Sequence, residues 1–133
     1  MNLVIDTNIV LDLFVFSDQK VRSLHDALCQ RTVRWIATPA MRDELACVLA
    51  YPHLQARMGV AQITAHQVLG AFDEHAQVVE PAAPAKFACR DGDDQKFIDL
   101  AVAHRATLLS KDKQVLALRR KLAAIEVAVA PAF

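Results

Sequence analysis

No apolar run in this chain approaches the roughly 20 residues of a membrane-spanning helix, so a soluble protein is expected. A secretory signal is not expected either, because a basic leader is missing and Asp6 and Asp12 interrupt the would-be hydrophobic region. Cysteine is scarce. Cys29, Cys47 and Cys89 are odd in number, widely spaced and without a CxxC pair, which disfavours a disulfide scaffold and a zinc site. A reducing cytoplasm is the natural setting, with the three thiols acting as small buried hydrophobes. An excess of one charge is also lacking, since 15 Lys+Arg balance 15 Asp+Glu. General nucleic-acid binders are normally basic, so the balance points away from that class. Local charge still counts within a Debye length. Arg119-Arg120-Lys121, with Lys111, Lys113 and Arg90, offers either such a patch or ordinary solvated helix faces. Repeats, low-complexity tracts and long charge blocks are absent.

What is present is a 133-residue chain that is 54% hydrophobic, enough for one well-buried core and too short for two ordinary ones. A single domain over residues 1–133 is expected. Met1-Asn2-Leu3-Val4-Ile5 reads as a buried strand ending at Asp6, and Thr107-Leu108-Leu109-Ser110 as another ending just before Asp112. Helices are predicted over 9–16, around the Val21, Leu24 and Leu28 stripe, and over 38–50, where Thr38-Pro39 is a strong start. Thr64 and Gln67 form a capping-box pair, with Ile63 and Val68 as its staple, opening a helix to about 76. Further helices are predicted over 94–105 and 113–122. Short strands are predicted at 34–37, 78–79 and 126–129. Glu80-Pro81-Ala82-Ala83-Pro84-Ala85 is an extended surface connection. Alternating strands and helices imply an α/β fold with a mainly parallel sheet covered on both faces.

Asp6 sits where open α/β sheets bind ligands, outside the carboxyl end of a strand; its alternative is to cap the helix that follows. Thr7 and Asn8 are placed to hydrogen-bond to that carboxylate, or to serve only turn and cap chemistry. Met41, Leu45, Val48 and Leu49 define the buried stripe of the 38–50 helix; at about 100° per residue Glu44 flanks the stripe and Asp43 falls opposite it. Phe97, Ile98 and Ala101 lie three, four and seven residues after Asp94, which puts Asp94 inward and Asp99 outward. Asp91 and Asp93 precede that helix and either cap it or flank a metal. Asp112 follows its strand and is placed to cap the next helix, with Ser110 on the turn. Clustered carboxylates repel one another unless a cation neutralises them. Hard cations such as Mg²⁺ prefer such oxygen ligands.

Taken together, Asp6-Thr7-Asn8, Glu44 after Thr38-Pro39, Asp94 with Phe97-Ile98 and Ala101, and Ser110-Lys111-Asp112 make the chain resemble the PIN-domain family. The resemblance covers essentially the whole chain and is closest to VapC-like toxin ribonucleases. It implies a Rossmann-like three-layer α/β/α fold, one or two Mg²⁺ or Mn²⁺ ions, and hydrolysis of RNA phosphodiesters. By the same resemblance, Asp6, Glu44, Asp94 and Asp112 are the catalytic and metal-binding acids, supported by Thr7, Asn8 and Ser110. An RNA substrate, a cognate antitoxin protein and a homodimer are implied as partners. A haloacid-dehalogenase-type phosphatase requires a second acid where Asn8 stands. A response-regulator receiver places its acids differently. The remaining rival is a PIN-like RNA- or protein-binding module without activity. His25, His53, His66, His75 and His104 are read as surface or packing residues.

Overall fold

Leu3, Val4 and Ile5 alternate between opposite faces of a strand, yet all three are buried, which requires a sheet covered on both sides. They form β1 (Asn2–Ile5) of the computed structural model, which describes residues 1–88 and 92–133. Beside it lie β2 (Arg34–Ala37), β3 (Ala76–Val78), β4 (Thr107–Leu109) and β5 (Val129–Ala130). Their order across the sheet is β3-β2-β1-β4-β5, and every described pairing is parallel. After β1 the chain builds outward on one side. After β4 it builds outward on the other. The boundary between β1 and β4 is therefore the topological switch point, where such sheets open a crevice at their carboxyl ends. Register fixes what stands there. Ile5 pairs with Leu109, so Asp6 and Ser110 leave the sheet side by side.

The helices are α1 (Thr7–Phe14), α2 (Arg22–Cys29), α3 (Pro39–Leu49), α4 (Pro52–Ala61), α5 (Ala65–His75), α6 (Gln95–His104), α7 (Lys113–Leu116) and α8 (Arg119–Ala123). They make a three-layer α/β/α arrangement around the sheet. The core is mostly aliphatic, with Trp35 meeting Phe72 edge-on at 5.0 Å and Phe97, Ile98 and Ala101 of α6 buried. The capping box that opens α5 forms as its sequence predicts: Thr64 N–H donates to Gln67 Oε1 at 2.9 Å, and Gln67 N–H to Thr64 Oγ1 at 3.1 Å. Among the described residues, no helix is long and apolar enough to cross a membrane.

Several expectations are corrected. The first helix starts at Thr7 rather than Ile9, because Asp6 supplies its cap. Helix α4 is absent from the sequence reading; its buried face consists of only Leu54 and Met58, too narrow a stripe to stand out. The helix expected over 113–122 breaks into α7 and α8 at Ala117-Leu118. The last strand begins at Val129, not Glu126, since Glu126 takes a left-handed conformation (φ 64°) that ends the preceding turn. Cys29 and Cys47 are exposed rather than buried, because both lie on the solvent faces of their helices. Cys89 and Arg90 lie outside the described residues.

Ile98 has no exposed surface and sits where α6 meets the sheet. Ile98→Ala should cost about 2–5 kcal/mol in denaturant unfolding, by lost burial and the cavity left behind. Thr64→Ala, which removes only a helix cap, should cost about 1 kcal/mol. Equal losses would mean that α6 does not anchor the core.

Candidate functional site

The site grows from the ends of β1 and β4. Asp6 is 4% exposed, and its carboxylate faces two donors. Oδ1 accepts from Thr7 N–H at 2.7 Å and Oδ2 from the Ser110 hydroxyl at 2.6 Å. Its backbone N–H continues the ladder to the Leu109 carbonyl at 2.9 Å. Ser110 is fully buried and accepts in turn from Asp112 N–H at 3.0 Å. Asp112 caps α7, with Oδ1 accepting from Gln114 N–H at 2.8 Å. One hydroxyl thus links the Asp6 carboxylate to the Asp112 backbone across the switch point. Thr7 donates its own hydroxyl to Glu44 Oε2, which ties α1 to α3. Asn8 Oδ1 accepts from Lys111 N–H at 3.3 Å, a further link between the two strand ends.

Helical phase separates the paired candidates on α3. Glu44 is half-buried and Asp43 exposed, as the spacing predicts. Asp94 is 8% exposed at the N-cap of α6, yet its side chain makes no capping bond to the helix backbone. Lys96 reaches from the first turn of α6 to Glu44 Oε1 at 2.8 Å, which sets the start of α6 beside α3. Direct contacts therefore join the side chains of Asp6, Thr7, Glu44 and Ser110 and the backbone N–H of Asp112, whereas Asp94 is placed only by its position two residues before Lys96. Asp99 departs from expectation. Instead of facing water it accepts from Ala85 N–H at 2.9 Å and Gln95 Nε2 at 2.8 Å, because the Pro/Ala connection lies over that side of α6. Asp93 is exposed, and Asp91 lies outside the described residues.

Two participants escape the sequence reading. Asp12 is buried in α1 and pairs with Lys111 Nζ at 2.6 Å, which removes Lys111 from any free basic patch. A lone acid inside the apolar 9–16 stretch was the available signal. Lys96 is the other, and its place in the first turn after Asp94 was the clue. Arg119, Arg120 and Lys121 are solvated on α8. A cavity of about 460 Å³ at the end of α1 is lined by Leu13, Asp18, Arg22 and His25 and includes none of the four acids.

Burial is the largest influence on Asp6 and lifts its pKa above the ordinary value. Hydrogen bonds from Ser110 and Thr7 oppose the rise, while the charges of Glu44 and Asp112 add to it. All donors are oxygens, which suits a hard divalent cation rather than zinc. Among the described residues, no three His, Cys, Asp or Glu side chains converge as a ready-made metal cage. Both carboxylate oxygens of Glu44 are engaged, one by the Thr7 hydroxyl and one by the Lys96 ammonium.

The raised pKa of Asp6 means that its charged form destabilises the metal-free fold. That cost is absent at low pH, where Asp6 is protonated in folded and unfolded chains alike, and appears as pH rises through its folded pKa. Asp6→Asn should therefore melt no lower than wild type near neutral pH without metal. Any advantage should vanish as pH falls to the ordinary aspartate value of 3.8. A variant that melts well below wild type at neutral pH would contradict this electrostatic account.

Comparison with known proteins places these features in a family. Residues 2–114 match the PIN domain family. An uncharacterized protein of Methanocaldococcus jannaschii, MJ1680, is 24% identical over 119 residues, covering 90% of this chain and 76% of that protein. The crystal structure of VapBC2 from Rickettsia felis bound to a DNA fragment from their promoter contains a chain with the same fold. Its TM-score is 0.65 at 12% identity, over 97% of both chains. The family match spans β1 through the first residues of α7 and includes Asp6, Glu44, Asp94 and Asp112. The chain belongs to the PIN domain family.

Proposed function

We propose that this protein is a divalent-metal-dependent endoribonuclease and the toxin component of a toxin–antitoxin pair, acting in the cytoplasm as a single PIN domain. The observation that carries the reading is the hydrogen-bonded line Glu44–Thr7 and Asp6–Ser110–Asp112 across the β1/β4 switch point. Asp6, Glu44, Asp94 and Asp112 are the residues proposed to hold Mg²⁺ or Mn²⁺. When bound, such an ion acidifies a water and screens the charge on phosphate oxygens. The chain's own groups do the positioning. Ser110 and the Thr7 N–H fix the orientation of the Asp6 carboxylate, and Thr7 Oγ1 steers Glu44 toward the same crevice. Asn8 and Lys111 hold the two strand ends in register above the sheet. Burial of Asp6 and Ser110 keeps bulk water from competing with these contacts. No histidine is needed and the line contains none; the hydroxyls of Thr7 and Ser110 serve as hydrogen-bond donors to Glu44 and Asp6.

RNA is the proposed substrate, a cognate antitoxin the proposed protein partner, and a homodimer the proposed assembly. The likeness to a VapBC2 chain supports the pairing with an antitoxin. Purified protein should cleave cellular RNA with added Mg²⁺ or Mn²⁺ and stop on chelation. Glu44→Gln and Asp94→Asn should each lower the cleavage rate by about 100-fold or more, above the loss typical of groups behind a metal's direct ligands. Asp43→Asn, on the solvent side of α3, should cleave like wild type. Cleavage that survives chelation would favour a PIN-like RNA- or protein-binding module without activity, and loss in Asp43→Asn equal to that in Glu44→Gln would overturn the distinction drawn between the two faces of α3.

A further inference from the structure

Lys96 is a cation built into the acidic crevice. Its Nζ lies 2.8 Å from Glu44 Oε1, 2.5 Å from the Asp93 carbonyl oxygen and 5.0 Å from the centroid of the Phe97 ring. An ordinary surface lysine samples many rotamers, and its ion pair is worth little. Here two elements converge on one ammonium, and only about a quarter of either side chain in the pair is exposed. Both oxygens of Glu44 are engaged, one by Thr7 and one by Lys96. Glu44 also adds to the negative charge felt by Asp6, so the ammonium answers repulsion that the metal-free crevice would otherwise carry alone.

We propose that Lys96 occupies Glu44 in place of a divalent cation, yields that oxygen when the cation binds, and then contacts a phosphate oxygen of the RNA. This rests on the proposed nuclease reading and adds to it a residue that couples the two ligands. The reasons are geometric and electrostatic. A carboxylate oxygen that already accepts from an ammonium is a poorer ligand, and two cations on one carboxylate repel. Once displaced, Lys96 remains tethered at the crevice by the Asp93 carbonyl and the Phe97 face, which leave its charge at the mouth. Its flexible stem and point charge suit a phosphate oxygen presented in varied geometry. Lys111 provides the natural contrast. It carries the same charge next to Asp112, but is paired with Asp12, which is not among the four acids.

Calorimetric titration of the full chain with Mn²⁺ tests the competition without requiring turnover. Lys96→Met should bind Mn²⁺ roughly 5-fold or more tightly than wild type, a coupling of ordinary size for linked sites. Lys111→Met, which removes an equal charge nearby, should gain distinctly less. Lys96→Arg, which keeps a cation on Glu44, should stay near wild type. In a second arm, Ca²⁺ replaces Mn²⁺ and a mixed-sequence single-stranded RNA is titrated. Ca²⁺ should tighten RNA binding by wild type more than by Lys96→Met. If Lys96→Met does not melt cooperatively, Lys96→Gln carries the same expectation. Unchanged or weaker Mn²⁺ binding in the Lys96 variant, or a gain matched by Lys111→Met, overturns the proposal while leaving the nuclease reading intact. A folded wild type and a folded Lys96→Met that both bind no Mn²⁺ overturn the nuclease reading and the proposal with it.

Discussion

The Ser110 hydroxyl is the contact on which the rest of the candidate site depends. It donates to Asp6 and accepts from Asp112 N–H, so it uses both its capacities inside a fully buried position. Parallel pairing of β1 with β4 brings Ser110 and Asp6 level. The hydroxyl then fixes the orientation of the Asp6 carboxylate and anchors the Asp112 backbone beside it. A residue without a donor here would leave Asp6 Oδ2 buried beside like charges with no compensation, the costliest arrangement for a carboxylate. Thr7 extends the same logic sideways to Glu44, making sheet, α1 and α3 parts of one polar network.

That network is held against its own electrostatics. Burial and neighbouring negative charge both disfavour ionised Asp6, and hydrogen bonds offset this only in part. The two lysines at the crevice answer the imbalance differently. Lys111 neutralises Asp12, a buried acid of α1, and so stabilises the frame. Lys96 neutralises Glu44, which belongs to the polar network itself. Functional sites commonly carry such strain, because a fold that relieved it fully would have no differential affinity left for a ligand.

The strands and their parallel sheet were largely legible from apolar runs ended by polar residues, their order was not, and the phase of α3 correctly placed Glu44 beside the buried stripe and Asp43 outward. The capping box of α5 was legible residue by residue because its bonds are local. Reading failed where structure depended on distant partners. Phase alone points Asp99 to solvent, whereas the connection lies over it, with Ala85 N–H donating to its carboxylate. Helix α4 presents only two buried residues and is held by its packing on α3. The break between α7 and α8 and the left-handed turn at Glu126 are features that hydrophobic periodicity does not encode.

By itself the sequence determined the α/β class, the inward and outward faces of α3, and the positions of Asp6 and Asp112 at strand ends, because periodicity and strand termini are local properties of the chain. Tertiary structure alone decided which of these groups meet. Glu44 and Lys96 are separated by a long stretch of chain, as are Asp6 and Ser110, yet each pair is in hydrogen-bond contact. Such contacts depend on which strands pair and which helix ends cross above them. The sequence could place the acids, but only the packed fold shows that a lysine of α6 stands among them.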